Sequence, residues 1–149
     1  MFLWKSTKML SKSEIISRLE QIYAKIDSDF TCRHYHECCS LIIWFKPEEI
    51  LIKDYMAKHQ IEYMVWSPEE FNQHDMHCPY LKNDRCIIYP ARPIVCRLQG
   101  HLRKLSCKYN KDKIMSQQLF KIIKREFDEL VMDVEGIGIF YCTCNLAKS

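Results

Sequence analysis

Two stretches of the chain carry nearly all of its candidate chemistry. The first is Cys32-Arg33-His34-Tyr35-His36-Glu37-Cys38-Cys39. The second, CPYLKNDRCIIYPARPIVCR, runs from Cys78 to Arg97 and holds Cys78, Cys86 and Cys96 among three prolines and three arginines. Nine cysteines in 149 residues is a high count, and six of them sit in these two stretches. Thiolates bind zinc and iron–sulfur clusters, and both usually take four protein ligands. Four or more of Cys32, Cys38, Cys39, Cys78, Cys86 and Cys96 are therefore the expected ligands, with Cys107 and His77 as weaker candidates. Five residues separate Cys32 from Cys38, seven separate Cys78 from Cys86, and nine separate Cys86 from Cys96, with no C-x2-C pair anywhere. That spacing argues against a zinc finger or ribbon, whose knuckles depend on such a pair. Cys78-Pro79 echoes the Cys-Pro that accompanies a cluster ligand in bacterial ferredoxins, although the rest of that motif is missing. The abundant thiols, the missing knuckle and the Cys-Pro favour an iron–sulfur cluster of the 4Fe-4S type, with zinc as the alternative.

The neighbours of the cysteines bear on how such a site works. Adjacent side chains point apart in an extended segment, so Cys38 and Cys39 are not expected to share one ion unless the backbone turns. Arg92 and Arg97 are expected to be cofactor-binding from outside the ligand set, donating to sulfur or offsetting thiolate charge. His34, His36, His74 and His101 also flank the two stretches and read singly as polar loop residues. Cys142 and Cys144 would share one face of a terminal strand, where packing is the simpler reading.

The order of these residues carries a resemblance. Cys32…Cys38-Cys39, then Cys78-Pro79-Tyr80-Leu81, Cys86-Ile87-Ile88-Tyr89 and Arg92-Pro93-Ile94-Val95-Cys96-Arg97, resembles the YkgJ-like cysteine-cluster family, described as zinc- or iron-chelating. That family's pattern is a C-x2-C-x2-C-C knot followed by C-P-[FY]-L, C-x-I-Y and R-P-x-x-C-R segments. The likeness spans Cys32 to Arg97 and extends loosely to Cys107, and it implies a bound cluster or metal ion. Tyr35 stands where the family commonly has its second cysteine, so a site using that position has lost a ligand or replaced it with His34, His36 or another cysteine.

The elements that must position these side chains read as mainly α. Ser11 with Glu14 three residues on is a capping box, and Ile15, Ile16, Leu19, Ile22, Tyr23 and Ile26 form one apolar helical stripe that Asp27-Ser28-Asp29 ends. Leu41 to Phe45 is an apolar run that fits either a strand or a buried helical turn. Lys46-Pro47-Glu48-Glu49 starts a helix whose buried face is expected on Ile50, Leu51, Tyr55 and Met56. Ser67-Pro68-Glu69-Glu70 starts a second, short one. Lys82 to Arg85 suits a turn, so a short hairpin would bring Cys78 and Cys86 close. The stripe from Ile114 to Val131 predicts a C-terminal helix over 112–132, broken by Gly136 and Gly138, before a short strand over 139–144. The expected architecture is one domain over 1–149: a small helical scaffold whose cysteine-rich core, 32–107, holds a metal centre in loops.

Bulk properties narrow the function classes. Apolar content of 48% and charged content of 28% are ordinary globular values. A net charge of +3 is too weak to argue for nucleic acid. The longest apolar run, Leu41 to Phe45, is five residues, against about 20 for a membrane helix. With no signal-peptide pattern at Met1 to Lys5, a soluble cytoplasmic protein is expected, in which cysteines serve metal or redox chemistry rather than disulfides. No Ser-His-Asp order, paired-carboxylate motif or nucleotide loop names a reaction, so enzyme activity stays open. The expected function is a cluster-holding protein in a redox, sensing or cluster-dependent role, with a protein or redox partner. The alternatives are a zinc-stabilised interaction module and a thiol-redox or metal-trafficking protein.

Overall fold

The computed structural model describes residues 9–26, 32, 38–40, 43–110 and 112–135, and the backbone strand at 140–142. The chain is mainly helical, as its periodicity predicts. Helix α1 (Lys12–Tyr23) begins at the expected capping box: Ser11 Oγ accepts from the Glu14 N–H at 3.2 Å, and Glu14 Oε2 accepts from the Ser11 N–H at 2.7 Å. It buries Ile15, Leu19, Ile22 and Tyr23. The ambiguous apolar run resolves as a strand, β1 (Ile43–Phe45), paired antiparallel with β4 (Phe140–Cys142) so that Ile43 faces Cys142 and Phe45 faces Phe140. Asp27 to Asp29, Gly136, Gly138 and Cys144 lie outside the described residues.

Helix α2 (Lys46–His59) follows β1 without a loop, with Pro47 in its first turn. It ends on Gln60 in the left-handed region, φ 56° and ψ 39°. Its buried face is rotated from the expected one: Ile52 and Met56 are buried, whereas Ile50, Leu51 and Tyr55 are only partly covered. The cause lies in the first turn, where Glu48 and Glu49 are buried rather than turned to solvent. Glu48 accepts from backbone N–H groups of two neighbouring segments, which draws that turn inward.

Helix α3 (Pro68–Gln73) is short and opens with the expected cap, Ser67 and Glu70 exchanging hydrogen bonds at 3.2 and 2.7 Å. Strands β2 (Leu81–Lys82) and β3 (Arg85–Cys86) form a hairpin, a 3-10 turn covers Tyr89–Ala91, and α4 (Ile94–Leu98) is a single short helix after Pro93. Helix α5 (Gln117–Glu135) starts five residues later than its apolar stripe suggests. Buried His101 explains the delay. It donates from Nδ1 to the Lys113 carbonyl at 2.9 Å, and its own carbonyl accepts from the Met115 N–H at 2.8 Å, which holds residues 113–115 out of the helix. Ser116 Oγ then accepts from the Leu119 N–H at 3.1 Å, as a cap does.

The side chains pack into two apolar clusters. One joins α1 to α5 through Leu19, Ile22, Tyr23, Ile123, Phe127 and Leu130. The other gathers Trp44, Ile52, Met56, Cys78, Tyr80, Ile88 and Ala91, with Cys39, Cys86 and Cys96 packed against it. Helix α2 lies between them, and Leu51 touches both. Among the described residues, no helix is long and apolar enough to cross a membrane.

Candidate metal centre

The second cysteine stretch is shaped by its hairpin. Asn83 (φ 47°) and Asp84 (φ 59°) are both left-handed, the conformation a two-residue turn requires to match the twist of its strands. Leu81 pairs with Cys86 and Lys82 with Arg85, so Cys78 stands just ahead of β2 rather than opposite Cys86. The chain bends tightly after each cysteine. The Leu81 N–H donates to the Cys78 carbonyl at 3.0 Å, and the Ile87 N–H to the Tyr80 carbonyl at 2.9 Å. The backbone at Tyr80 and Leu81 pulls the Cys78 thiol down against burial, and that at Ile88 does the same for Cys86, which favours the thiolate, the form that binds metal. Tyr80 anchors the bend: its ring is fully buried, its hydroxyl donates to the Met64 carbonyl at 3.2 Å, and it accepts from the Met64 N–H at 3.0 Å.

The first stretch is stitched onto this bend. The Cys78 N–H donates to the Cys39 carbonyl at 3.1 Å. Cys38 lies in a turn, and its thiol is hydrogen-bonded to that of Cys39. The two adjacent side chains thus come together, contrary to the extended geometry, because the backbone turns.

Electrostatics bring all six expected cysteines into one neighbourhood. Cys39 is influenced by Cys38, Cys78 and Cys86, Cys96 by Cys78 and Cys86, and Cys86 by Cys32. Burial pushes the Cys78 thiol up to about 12 and raises Cys86 and Cys96 as well. For Cys39 the hydrogen bond with Cys38 is the larger cause, and burial follows. Among the described residues, none of the seven cysteine thiols is in a disulfide. Among the described residues, no three His, Cys, Asp or Glu side chains are set to hold a metal ion as they stand.

The arginines divide their work. Arg92 acts against the rise of the Cys86 and Cys96 thiols, so its charge lies near them, while its guanidinium stacks on Tyr89 at 3.8 Å and donates to the Tyr89 carbonyl at 2.8 Å. Arg97 is engaged elsewhere: it donates to the carbonyls of Arg92 (2.9 Å) and Pro90 (2.7 Å) and lies 3.9 Å over the Tyr23 ring. Cys107 accepts from Asn110 Nδ2 at 3.9 Å, and exposed His77 bonds the His74 carbonyl at 3.2 Å. His34, Tyr35 and His36 lie outside the described residues.

One feature beside the thiols, the burial of Glu48, escaped the sequence reading, and the buried Trp44 adds a second. Glu48 looks like an ordinary acid in a helical first turn, yet it is fully buried. Its Oε1 accepts from the Tyr23 hydroxyl at 2.8 Å and the Ile94 N–H at 2.5 Å, and its Oε2 from the Phe45 N–H at 3.0 Å. Trp44 is fully buried in the cysteine-bearing cluster, and its Nε1–H has no acceptor among the described residues. A thiolate-bound metal centre fits this lining: thiols, one nearby guanidinium and a buried indole donor beside an apolar cluster.

The family model described as "Putative zinc- or iron-chelating domain", CxxCxxCC, matches residues 31–127, roughly two thirds of the chain. The chain belongs to the CxxCxxCC family. Membership in this zinc- or iron-chelating family supports metal binding. Tyr35 departs from the family's name motif at its second cysteine, while the other three cysteines of that motif, Cys32, Cys38 and Cys39, are in place. No curated protein and no solved structure matches the chain.

Proposed function

We propose that this CxxCxxCC chain holds an iron–sulfur cluster of the four-iron type, ligated by four of Cys32, Cys38, Cys39, Cys78, Cys86 and Cys96. The observation that supports this reading is that thiols of both cysteine stretches act on one another: Cys39 is influenced by Cys38, Cys78 and Cys86, Cys96 by Cys78 and Cys86, and Cys86 by Cys32. Iron is preferred over zinc because the thiols outnumber the four a zinc site takes and the zinc knuckle is missing. When bound, such a cluster supplies one-electron chemistry. The chain's own part is to exclude water with Trp44, Tyr80 and Ile88, to orient Cys78 and Cys86 by tight bends, and to balance thiolate charge with Arg92. The protein would then serve redox, sensing or cluster-dependent work with a partner protein.

The test is anaerobic purification without a metal-affinity tag, followed by an absorption spectrum and assays for iron, zinc and sulfide. Brown protein with a broad band near ~400 nm and equal iron and sulfide is the expected result. Colourless protein with about one zinc per chain would replace the cluster by a structural zinc site. Protein without either metal would overturn metal holding and leave a thiol-redox role.

A further inference from the structure

The short helix that carries Cys96 has a weak hold of its own. Helix α4 is five residues long and starts at Ile94 after Pro93, with no side-chain cap of its own. A single helical turn with one or two internal hydrogen bonds is not stable by itself. Its N–H at Ile94 instead finds a partner far away in sequence, Glu48 Oε1 at 2.5 Å. The other oxygen of the same carboxylate, Oε2, accepts from the Phe45 N–H at 3.0 Å, at the junction of β1 and α2. Glu48 thus bridges the segment just after the Cys38-Cys39 pair and the segment that presents Cys96.

The bridge is itself held in place. The Tyr23 hydroxyl donates to Glu48 Oε1 at 2.8 Å from α1, and Tyr23 is stacked in turn by Arg97, the residue after Cys96. Arg97 ties back to the carbonyls of Pro90 and Arg92. Glu48 is completely buried, so this geometry is not diluted by water. Its neighbour Glu49 provides a contrast: it is nearly as buried, but it pairs with Lys46 at 3.1 Å and Lys53 at 2.6 Å and none of its described bonds reaches α4.

We propose that Glu48 is a positioning residue of the metal centre, clamping the Cys96 helix against the segment that follows the Cys38-Cys39 pair. The proposal rests on the metal-holding reading above and adds to it a residue that does not touch metal. Removing a partner that orients a metal ligand costs about 10–100-fold in metal affinity. Glu48→Gln keeps the shape but must turn its amide N–H2 toward one of the two backbone donors, so about a 10-fold loss is expected; Glu48→Ala, which removes both acceptors, should approach about 100-fold.

The experiment uses the full chain loaded with its native metal at pH 8 and compares wild type, Glu48→Gln, Glu48→Ala and Glu49→Gln. Metal retention is measured by chelator competition, and the protection of individual thiols from alkylation is read by mass spectrometry. The expected result is selective: in the Glu48 variants Cys96 becomes labelled while Cys78 and Cys86 stay protected, far-ultraviolet circular dichroism is unchanged, and Glu49→Gln behaves as wild type. Equal protection of Cys96 in wild type and Glu48→Gln, with equal metal retention, would overturn the inference alone. Uniform labelling of all thiols together with loss of helicity in Glu48→Gln would also overturn it, because Glu48 would then serve the fold at large. A wild-type protein that retains no metal and protects no thiol would overturn the metal reading and this inference with it.

Discussion

The buried carboxylate of Glu48 makes stability depend on pH in a direction opposite to that of an ordinary ion-paired acid. Burial pushes its pKa from 4.5 to about 7, against the pull of the Ile94 and Phe45 N–H groups, the Tyr23 hydroxyl and the Arg97 charge. The folded protein therefore holds this proton more tightly than the unfolded chain does. Below pH 4.5 both states are protonated, and the contribution is fully present. Between 4.5 and about 7 the unfolded chain gives up the proton first, so stability falls as pH rises, and above about 7 the whole contribution is gone. The gap corresponds to about 3 kcal/mol at ~1.4 kcal/mol per unit. Glu48→Gln cannot titrate, so the wild-type stability measured relative to this variant should fall by about 3 kcal/mol between pH 4.5 and 8. Asp54, held down by Lys12 and Lys58, works in the opposite sense, but it is present in both proteins and cancels in the difference. The assay is urea unfolding of both metal-free, reduced proteins at a series of pH values. A difference that stays flat would refute the reasoning, because the three donors and Arg97 would then outweigh burial and keep the carboxylate ionised as in water.

Three further outcomes are expected. Tyr80→Phe strips the Met64 N–H and carbonyl of their shared partner inside the cysteine-bearing cluster, which should cost about 1–3 kcal/mol in urea unfolding; a loss below ~0.5 kcal/mol would mean that the 61–66 segment simply re-pairs with water. Gln60 closes α2 in the left-handed region at φ 56° and is exposed. Gln60→Gly should therefore stabilise the chain by up to about 1 kcal/mol, raising Tm by about 2–4 °C in thermal unfolding, and a lowered Tm would count against that end geometry. Arg92→Gln removes the positive charge that opposes the rise of the Cys86 and Cys96 thiols, so metal retention under chelator competition should drop by about 10-fold; unchanged retention would show that Arg92 serves only its Tyr89 stack.

Local signals in the sequence carried well where a local cause decides the structure. Ser11 with Glu14, Ser67 with Glu70, and Pro47 and Pro68 in first turns all mark helix starts that form, because caps are settled within four residues. The turn at 83–84 formed for the same reason. The reading failed where a distant partner decides. The apolar stripe from Ile114 extends past the true start of α5, because His101 captures residues 113–115 from outside the helix. Ile52, and not Ile50 or Leu51, is the aliphatic side chain that α2 buries completely, because Glu48 is drawn inward by Ile94, 46 positions away. For the candidate centre, the cysteines were legible by type and order, while the hydrogen bond between adjacent Cys38 and Cys39 depends on a turn that spacing does not encode. Arg92 and Arg97 read alike in sequence, and only their contacts separate a charge near sulfur from a brace on Tyr23.

These failures share one origin, and it bears on how the chain is built. The α1–α5 cluster contains no cysteine and is closed by Leu19, Ile123 and Leu130, so its packing does not depend on what the thiols hold. The elements that present Cys86 and Cys96 are short, a hairpin of two-residue strands and a five-residue helix, and cannot fix a ligand geometry alone. Rigidity must therefore pass from the first cluster to the second. Described contacts that carry it include Leu51, which packs against both clusters, helix α4, whose Ile94 and Leu98 pack in the first cluster and Val95 and Cys96 against the second, the edge-on stack of Phe45 on Phe127 at 5.4 Å, and the polar seam of Tyr23, Glu48 and Arg97. Of these, only the seam is directional, since a carboxylate with three donors tolerates little sliding whereas apolar contacts slip at small cost. A buried polar group is costly to maintain, so its place at the junction of scaffold and thiols, rather than inside either cluster, is where positional accuracy would matter most for a site assembled from loops.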